Sequence, residues 1–213
     1  MKALSLTFQI LLALTSYSRA ECMSKDELFT GFRMNLQKAI DIVPSDQADP
    51  VASLVTNTDM LEKVLAANEQ IPSSYCISLS KEGDYLGMVA ASGDAGATVK
   101  AVTFINEDID TKVKYASTAL ALAKPSLEVK VTVQTLSGIV EERGLDVSLT
   151  PLLFANEPPL FPFNDQSSPT TSYVPPGRYQ LRGEKAGIVE CVKDNVGVGL
   201  NGEHEQALQC VHQ

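Results

Sequence analysis

The chain has 213 residues, a length that suits one large domain or two small ones. Its 17 basic and 26 acidic residues give a formal net charge of −9, and no basic tract reverses this locally, which argues against binding to nucleic acid or to an anionic membrane surface. Tryptophan is absent and aromatic residues make up 6% of the chain, so a sugar-binding surface built on stacked rings is disfavoured.

Residues 1–20, MKALSLTFQILLALTSYSRA, have the three parts of a secretory signal peptide. Lys2 supplies the positive start, an apolar run follows, and Ser18 and Ala20 are the small residues expected before a cleavage site. The run is too short to span a bilayer, and a lipid anchor is disfavoured because Glu21 precedes Cys22. We therefore expect a secreted, periplasmic or extracellular protein with no membrane span after cleavage; an uncleaved anchor is the alternative.

The N-terminal half, residues 21–123, is predicted to form a first, degenerate β-sandwich. The segments YLGMVAAS and VKAVTFI are interpreted as strands on either side of a GDAGA loop. A helical N-terminal domain is the alternative, because ELFTGFRMNLQKAIDIV and DPVASLVTNTDMLEKVLAANEQ place apolar residues at helical spacing. The favoured account of this spacing is that one short helix lies in the variable loop of the first sandwich.

An acidic segment, NEDIDTK, follows in the same half. Glu107, Asp108 and Asp110 have the oxygen ligands that calcium prefers, but their spacing is not that of an EF-hand loop. A solvated acidic turn is the favoured interpretation.

The boundary between the halves is predicted at Lys124-Pro125-Ser126, because proline disfavours strand interiors. Residues 124–213 are predicted to form a second β-sandwich. LEVKVTVQTL and LDVSLTP alternate apolar and polar residues on either side of Gly138, and AGIVECV and QALQCVH are two further strand patterns.

The long loop FANEPPLFPFNDQSSPTTS separates two of these strands and is partly apolar. Its large apolar residues are Phe154, Leu160, Phe161 and Phe163. We favour a role in covering the open end of the sandwich, and an exposed binding patch is the alternative.

The segment YVPPGRYQLR is predicted to be a structural turn that leads into a strand. Proline fixes φ and glycine accepts positive φ, so Pro175, Pro176 and Gly177 form the turn, with Gly177 expected at positive φ. Tyr179 then begins a half-buried strand and is expected to be buried.

Similar marks occur in the N-terminal half. FTGFRMNLQKAIDIVP aligns with LSGIVEERGLDVSLTP, and QIPSSYCISLS aligns with YVPPGRYQLRG. The pattern resembles the carboxypeptidase regulatory-like domain, a small transthyretin-like or starch-binding-like β-sandwich, clearly over residues 127–182 and in degenerate form over 28–79. The resemblance implies an all-β chain of two tandem sandwiches, in which the glycine–tyrosine turn begins a core strand and the modules bind or space rather than catalyse.

The four cysteines, an even number in an exported chain, predict disulfides. Of the three pairings, Cys22–Cys76 and Cys191–Cys210 are preferred because each stays within one half. Cys191 and Cys210 are expected on neighbouring strands. A metal site is disfavoured, because the chain has no CxxC and its two histidines lie outside any zinc-ligand spacing.

No catalytic, cofactor-binding or metal-binding residue is predicted. The chain lacks GxSxG, a zinc-binding HxxE and a phosphate-binding loop, and His204 between two glutamates is interpreted as part of a solvated turn. We therefore expect an exported, non-catalytic binding or spacer protein that contacts carbohydrate or another extracellular protein. The alternatives are an accessory subunit of a secreted enzyme, or a secreted inhibitor or effector that uses the proline-rich loop 151–172. The sequence leaves the oligomeric state open.

Overall fold

The computed structural model describes residues 24–68, 71–122, 126–163, 165–186, 188–199 and 203–210. Over these ranges the chain forms four long helices and then eight strands in two sheets. The fold is of the α+β class and about 51% helical. The predicted all-β chain of two tandem carboxypeptidase regulatory-like sandwiches is therefore wrong, and the predicted signal peptide lies outside the described residues.

The N-terminal half is a bundle of four helices. They are α1 (Lys25–Ile42), α2 (Asp49–Ala66), α3 (Ser73–Ala91) and α4 (Ala95–Ala121), and a 3-10 turn at Ser45–Gln47 joins the first two. The segments interpreted as strands, YLGMVAAS and VKAVTFI, lie in α3 and α4. The alternative interpretation, a helical N-terminal half, is the one that the structure contains.

Local signals account for these helices. Ser24 and Glu27 form a capping box at the start of α1, and the Asp94 side chain accepts a hydrogen bond from Ala97 N at the start of α4. Apolar residues of α1 recur every three or four positions and are buried: Leu28, Phe29, Phe32, Leu36 and Ala39. The apparent repeat of the second half has no structural counterpart, since Gly31 lies inside α1 and Pro72 precedes α3.

Two glycines bring α1 and α3 close together. A Cβ atom added at Gly83 would lie 3.2 Å from Phe32 Cδ2, and one added at Gly87 would collide with the side chain of Asn35. The contacts advance along both helices in the same direction, so α1 and α3 are parallel neighbours.

The C-terminal half is a β-sandwich. Its strands are β1 (Val129–Ser137), β2 (Val140–Glu141), β3 (Asp146–Pro151), β4 (Phe161–Pro162), β5 (Thr170–Val174), β6 (Gly177–Lys185), β7 (Ile188–Val198) and β8 (Glu203–Gln209). One sheet pairs β1 antiparallel with β2 and β5 and parallel with β8, and the other has the antiparallel order β4-β3-β6-β7. The predicted alternation in β1 is confirmed, because Val129, Val131 and Val133 are all fully buried.

The Cys191–Cys210 disulfide joins the two sheets. Cys191 lies in β7 of one sheet and Cys210 directly follows β8 of the other, with their Cα atoms 4.5 Å apart. The predicted pairing is present, but its location was predicted wrongly, because the cysteines face each other across the sandwich instead of sitting on paired strands. Gly183 makes room for this bond, since a Cβ atom there would lie 2.6 Å from Cys191 Sγ. Cys76 is also disulfide-bonded, and its predicted partner Cys22 lies outside the described residues.

Bundle and sandwich share one continuous apolar core. Its buried residues extend from Leu28 in α1 to Cys210 after β8. The predicted linker Lys124-Pro125 lies outside the described residues; α4 ends before it at Ala121, and β1 begins after it at Val129. The division into separate domains at 123/124 stays a prediction. In the described part of the chain, none of the helices combines the length and apolar character that crossing a membrane requires.

Candidate functional site

The turn before β6 lies at the junction of bundle and sandwich. Pro175, Pro176 and Gly177 are buried there, and Tyr179 is only 2% exposed, as predicted. The Tyr179 hydroxyl donates a 2.6 Å hydrogen bond to the carbonyl of Pro175, so the tyrosine holds the turn from inside. Burial raises the pKa of Tyr179 well above its ordinary value.

Gly177 has a different role from the predicted one. Its backbone is not left-handed, so the expected positive φ is absent. A Cβ atom at this position would lie 2.6 Å from Asp108 Oδ1 of α4. Glycine is needed because α4 approaches the strand closely, and the contact brings a buried carboxylate against the sandwich.

Asp108 belongs to a buried ionic cluster on α3 and α4. The ammonium of Lys112, which has no exposed surface, donates to Asp108 Oδ2 and to Glu82 Oε1, the latter at 2.8 Å. Ser78 donates a second hydrogen bond to Glu82 Oε1 at 2.8 Å. Burial alone would lower the pKa of Lys112, but the attraction of Asp108 and Glu82 outweighs it and raises that pKa.

The backbone of β6 completes the cluster. Arg178 N donates to Asp108 Oδ1 at 3.3 Å, which joins α4 directly to the sandwich. The Arg178 guanidinium forms an ion pair with Glu107 and lies 4.6 Å above the ring of Phe104. The junction is therefore fixed by a buried polar contact and by a cation–π contact beside it.

The acidic segment was predicted wrongly as a solvated turn. Glu107, Asp108 and Asp110 all lie within α4, and each has its own cationic or backbone partner; that of Asp110 is Lys114. Among the residues that the structure describes, no group of His, Cys, Asp and Glu side chains is arranged to hold a metal ion.

A groove of about 350 Å³ opens beside this junction. Thr111 of α4 forms one wall, and the ends of β6, β7 and β8 form the rest; the strand-side lining residues are Gly177, Arg178, Gly197, Val198, Gly199 and His204. His204, predicted to lie in a solvated turn, instead lies in β8 and is only partly exposed. Residues far apart in the chain thus meet at one surface.

Two glycines of the groove have no internal packing reason. No atom of the described residues outside the immediate chain neighbours lies within 4 Å of a Cβ atom added at Gly197 or Gly199, and neither backbone is left-handed. Their small size keeps the groove open and leaves backbone groups accessible in it.

The proline-rich loop packs against the bundle. Phe154, Phe161 and Phe163 are buried and Leu160 is partly buried, so these side chains do not form an exposed patch. The ring of Phe154 meets Tyr85 of α3 edge-on at 5.7 Å, and Glu157 pairs with Lys81 of α3 at 2.9 Å. The loop therefore forms a second contact between bundle and sandwich.

Comparisons of the chain with protein-family models, with curated proteins and with solved structures found no match.

Proposed function

We propose that the protein is an exported, non-catalytic binding protein whose junction groove holds an extended peptide segment of another extracellular protein. The observation that carries the proposal is the pair Gly197 and Gly199. The fold needs neither glycine for packing or for backbone conformation, yet both keep open a groove built by bundle and sandwich together.

The groove lining favours a peptide over a carbohydrate. None of its seven residues is Trp, Tyr or Phe, so a sugar ring would have no aromatic face to stack on. Gly197 and Gly199, which are exposed or partly exposed, instead allow the main chain of a ligand to approach closely.

A binding role also agrees with the burial of Lys112 at the junction. Lys112 is fully buried and is held by two carboxylates, so it serves the architecture and is closed to a substrate. The export component of the proposal rests on the signal-peptide pattern of residues 1–20.

The alternative of an inhibitor that uses loop 151–172 as a wedge has less support. Phe154 and Glu157 of that loop are engaged with α3, which leaves these side chains unavailable to a target.

The test first selects peptides that bind the disulfide-bonded protein. Each selected peptide is then titrated into the protein, and NMR shifts measure its affinity. Gly197→Leu and Gly199→Leu fill the groove, and we expect either to weaken binding by about tenfold or more, because ligand and leucine compete for the same space. Thermal stability should stay within about 2 °C of the parent, because the new side chain meets open space.

Gly31→Leu is the matched control, because Gly31 also has no atom within 4 Å of an added Cβ but lies on the exposed face of α1. It should leave binding unchanged. Equal affinity of parent and groove variants would contradict the proposal, and a glycan array that yields the only specific ligand would overturn the choice of a peptide.

A further inference from the structure

The buried cluster between α3 and α4 contains one cation and two carboxyl groups. Lys112, Glu82 and Asp108 are each at least nine-tenths buried. If both carboxyls were ionised, the interior would hold one uncompensated negative charge, which is costly away from water.

The two carboxyls are not equally well satisfied. Asp108 accepts from Lys112 on one oxygen and from the backbone N–H of Arg178 on the other. Glu82 accepts from Ser78 and Lys112 on Oε1, but its buried Oε2 has no hydrogen-bond donor. An ionised Glu82 would thus leave a buried charged oxygen unpaired, whereas a protonated Glu82 removes that charge and can donate a hydrogen bond to the neighbouring Asp108 carboxylate.

The other titratable groups facing the cluster supply no compensating charge. Tyr179 of β6 and Tyr75 of α3 direct their hydroxyls to the carbonyls of Pro175 and Leu127. Tyr115 of α4 donates to the carbonyl of Glu128, and the Glu128 carboxylate accepts from Ser74. The neighbouring guanidinium, Arg178, is engaged with Glu107 outside the cluster.

We propose that Glu82 is held as the neutral acid in the folded protein, and that the loss of its proton at alkaline pH weakens the junction between bundle and sandwich. Burial, together with the charge of Asp108 and a hydrogen bond to it, raises the pKa of Glu82 from 4.5 to about 8 against the opposing effect of Lys112. Asp108 transmits the change, since the same carboxylate accepts from the β6 backbone.

The sign of the pH dependence follows from proton linkage. A raised pKa means that the folded state keeps a proton that the unfolded chain releases above its ordinary pKa of 4.5. The stabilisation is complete below that value, falls as the pH rises, and is lost above about 8.

The test compares the parent with Glu82→Gln, which keeps the shape and a hydrogen-bond donor but cannot ionise. The ratio of the parent's unfolding equilibrium constant to that of the variant should rise about tenfold per pH unit between about pH 5 and pH 7.5. Asp110→Asn, which removes a carboxylate from an exposed ion pair on α4, should retain the parent's slope. A ratio that is flat or falls across this range would overturn the proposal.

A direct measurement covers the case in which Glu82→Gln does not fold. The ¹³C shift of the Glu82 carboxyl in the labelled parent should titrate with a midpoint near 8. A midpoint below about 5, close to the ordinary glutamate value, would refute the protonated state. Neither readout depends on a ligand, so this inference and the proposed binding function can fail separately.

Discussion

At the scale of single residues, Gly177 is a position where α4 approaches the sandwich closely. The constraint on it is the distance to Asp108 on another element, and its own backbone angles would accept any residue. A side chain here must displace a carboxylate that is already held by Lys112 and by Arg178 N.

We expect Gly177→Ala to destabilise the protein by about 1–3 kcal/mol, the usual cost of inserting a methyl group into a packed interior. Gly197→Ala is the control, because Gly197 lies on the paired strand opposite Arg178 and has open space around it. Its effect should stay within about 0.5 kcal/mol. Urea unfolding of both variants measures the difference, and equal stability would show that the Asp108 contact is not constraining.

The environment of a single residue could be predicted from the sequence where neighbouring residues in the same segment determine it. The burial of Tyr179 follows from the turn and the strand pattern around it. The role of Gly177 was missed because its reason, Asp108, lies about 70 residues away and across an interface. The burial of Lys112 could have been predicted from one feature of the sequence, since Lys112 shares a helical face with the apolar residues Ile105, Ile109 and Ala116.

At the scale of elements, Gly83 and Gly87 allow α3 to pack closely against α1. Their missing side chains let α3 lie against Phe32 and Asn35 of the parallel helix α1. The pairing brings α1 against the helix that carries Glu82 and Tyr85, both of which contact other parts of the junction.

We expect Gly83→Leu to destabilise the protein by about 1–3 kcal/mol, because the added carbons collide with Phe32 and must push α1 away. Gly31→Leu replaces a glycine within an exposed turn of α1 and should stabilise by a fraction of a kcal/mol through helix propensity. A lower melting temperature for Gly83→Leu and a higher one for Gly31→Leu would support the close packing of α1 and α3. Stabilisation by both substitutions would exclude it.

Element prediction failed in the first half and succeeded in the second for one reason. YLGMVAAS and VKAVTFI are short apolar runs, and periodicity alone does not separate a buried strand from part of a buried helix. For VKAVTFI the decisive signal lay outside the run, in Asp94 at the N-cap of α4, and the capping box of Ser24 and Glu27 marked α1 as a helix of the same half. The second-half strands are separated by turns, and β1 alternates buried and less buried residues over most of its length, so the strand pattern is clear there. The groove could not be predicted, because it combines α4 with three strand ends.

At the scale of the whole molecule, bundle and sandwich are joined by a continuous core and by two further contacts. One contact contains the Tyr85–Phe154 ring pair and the Lys81–Glu157 ion pair, and the other contains the Lys112 cluster. The apolar surfaces that each half would expose alone are covered by the other.

We expect a single cooperative unfolding transition for both halves. Far-UV circular dichroism of the helices and NMR signals of the strands should give coincident urea transitions. A double-mutant cycle of Tyr85→Ala and Phe154→Ala should show a coupling of about 0.5–1.5 kcal/mol. Two separate transitions, with residues 124–213 folding alone, would instead support the division predicted from the sequence.

The parallel pairing of β8 with β1 also sets the order in which the molecule can form. β1 is the central strand of its sheet, and its neighbour β8 is synthesised about 70 residues later, so a large loop must close before the pair forms. The helices need only local contacts and can form first. Until β8 arrives, one edge of β1 remains open to pairing with another chain, so the unfinished molecule is most prone to aggregate during this interval.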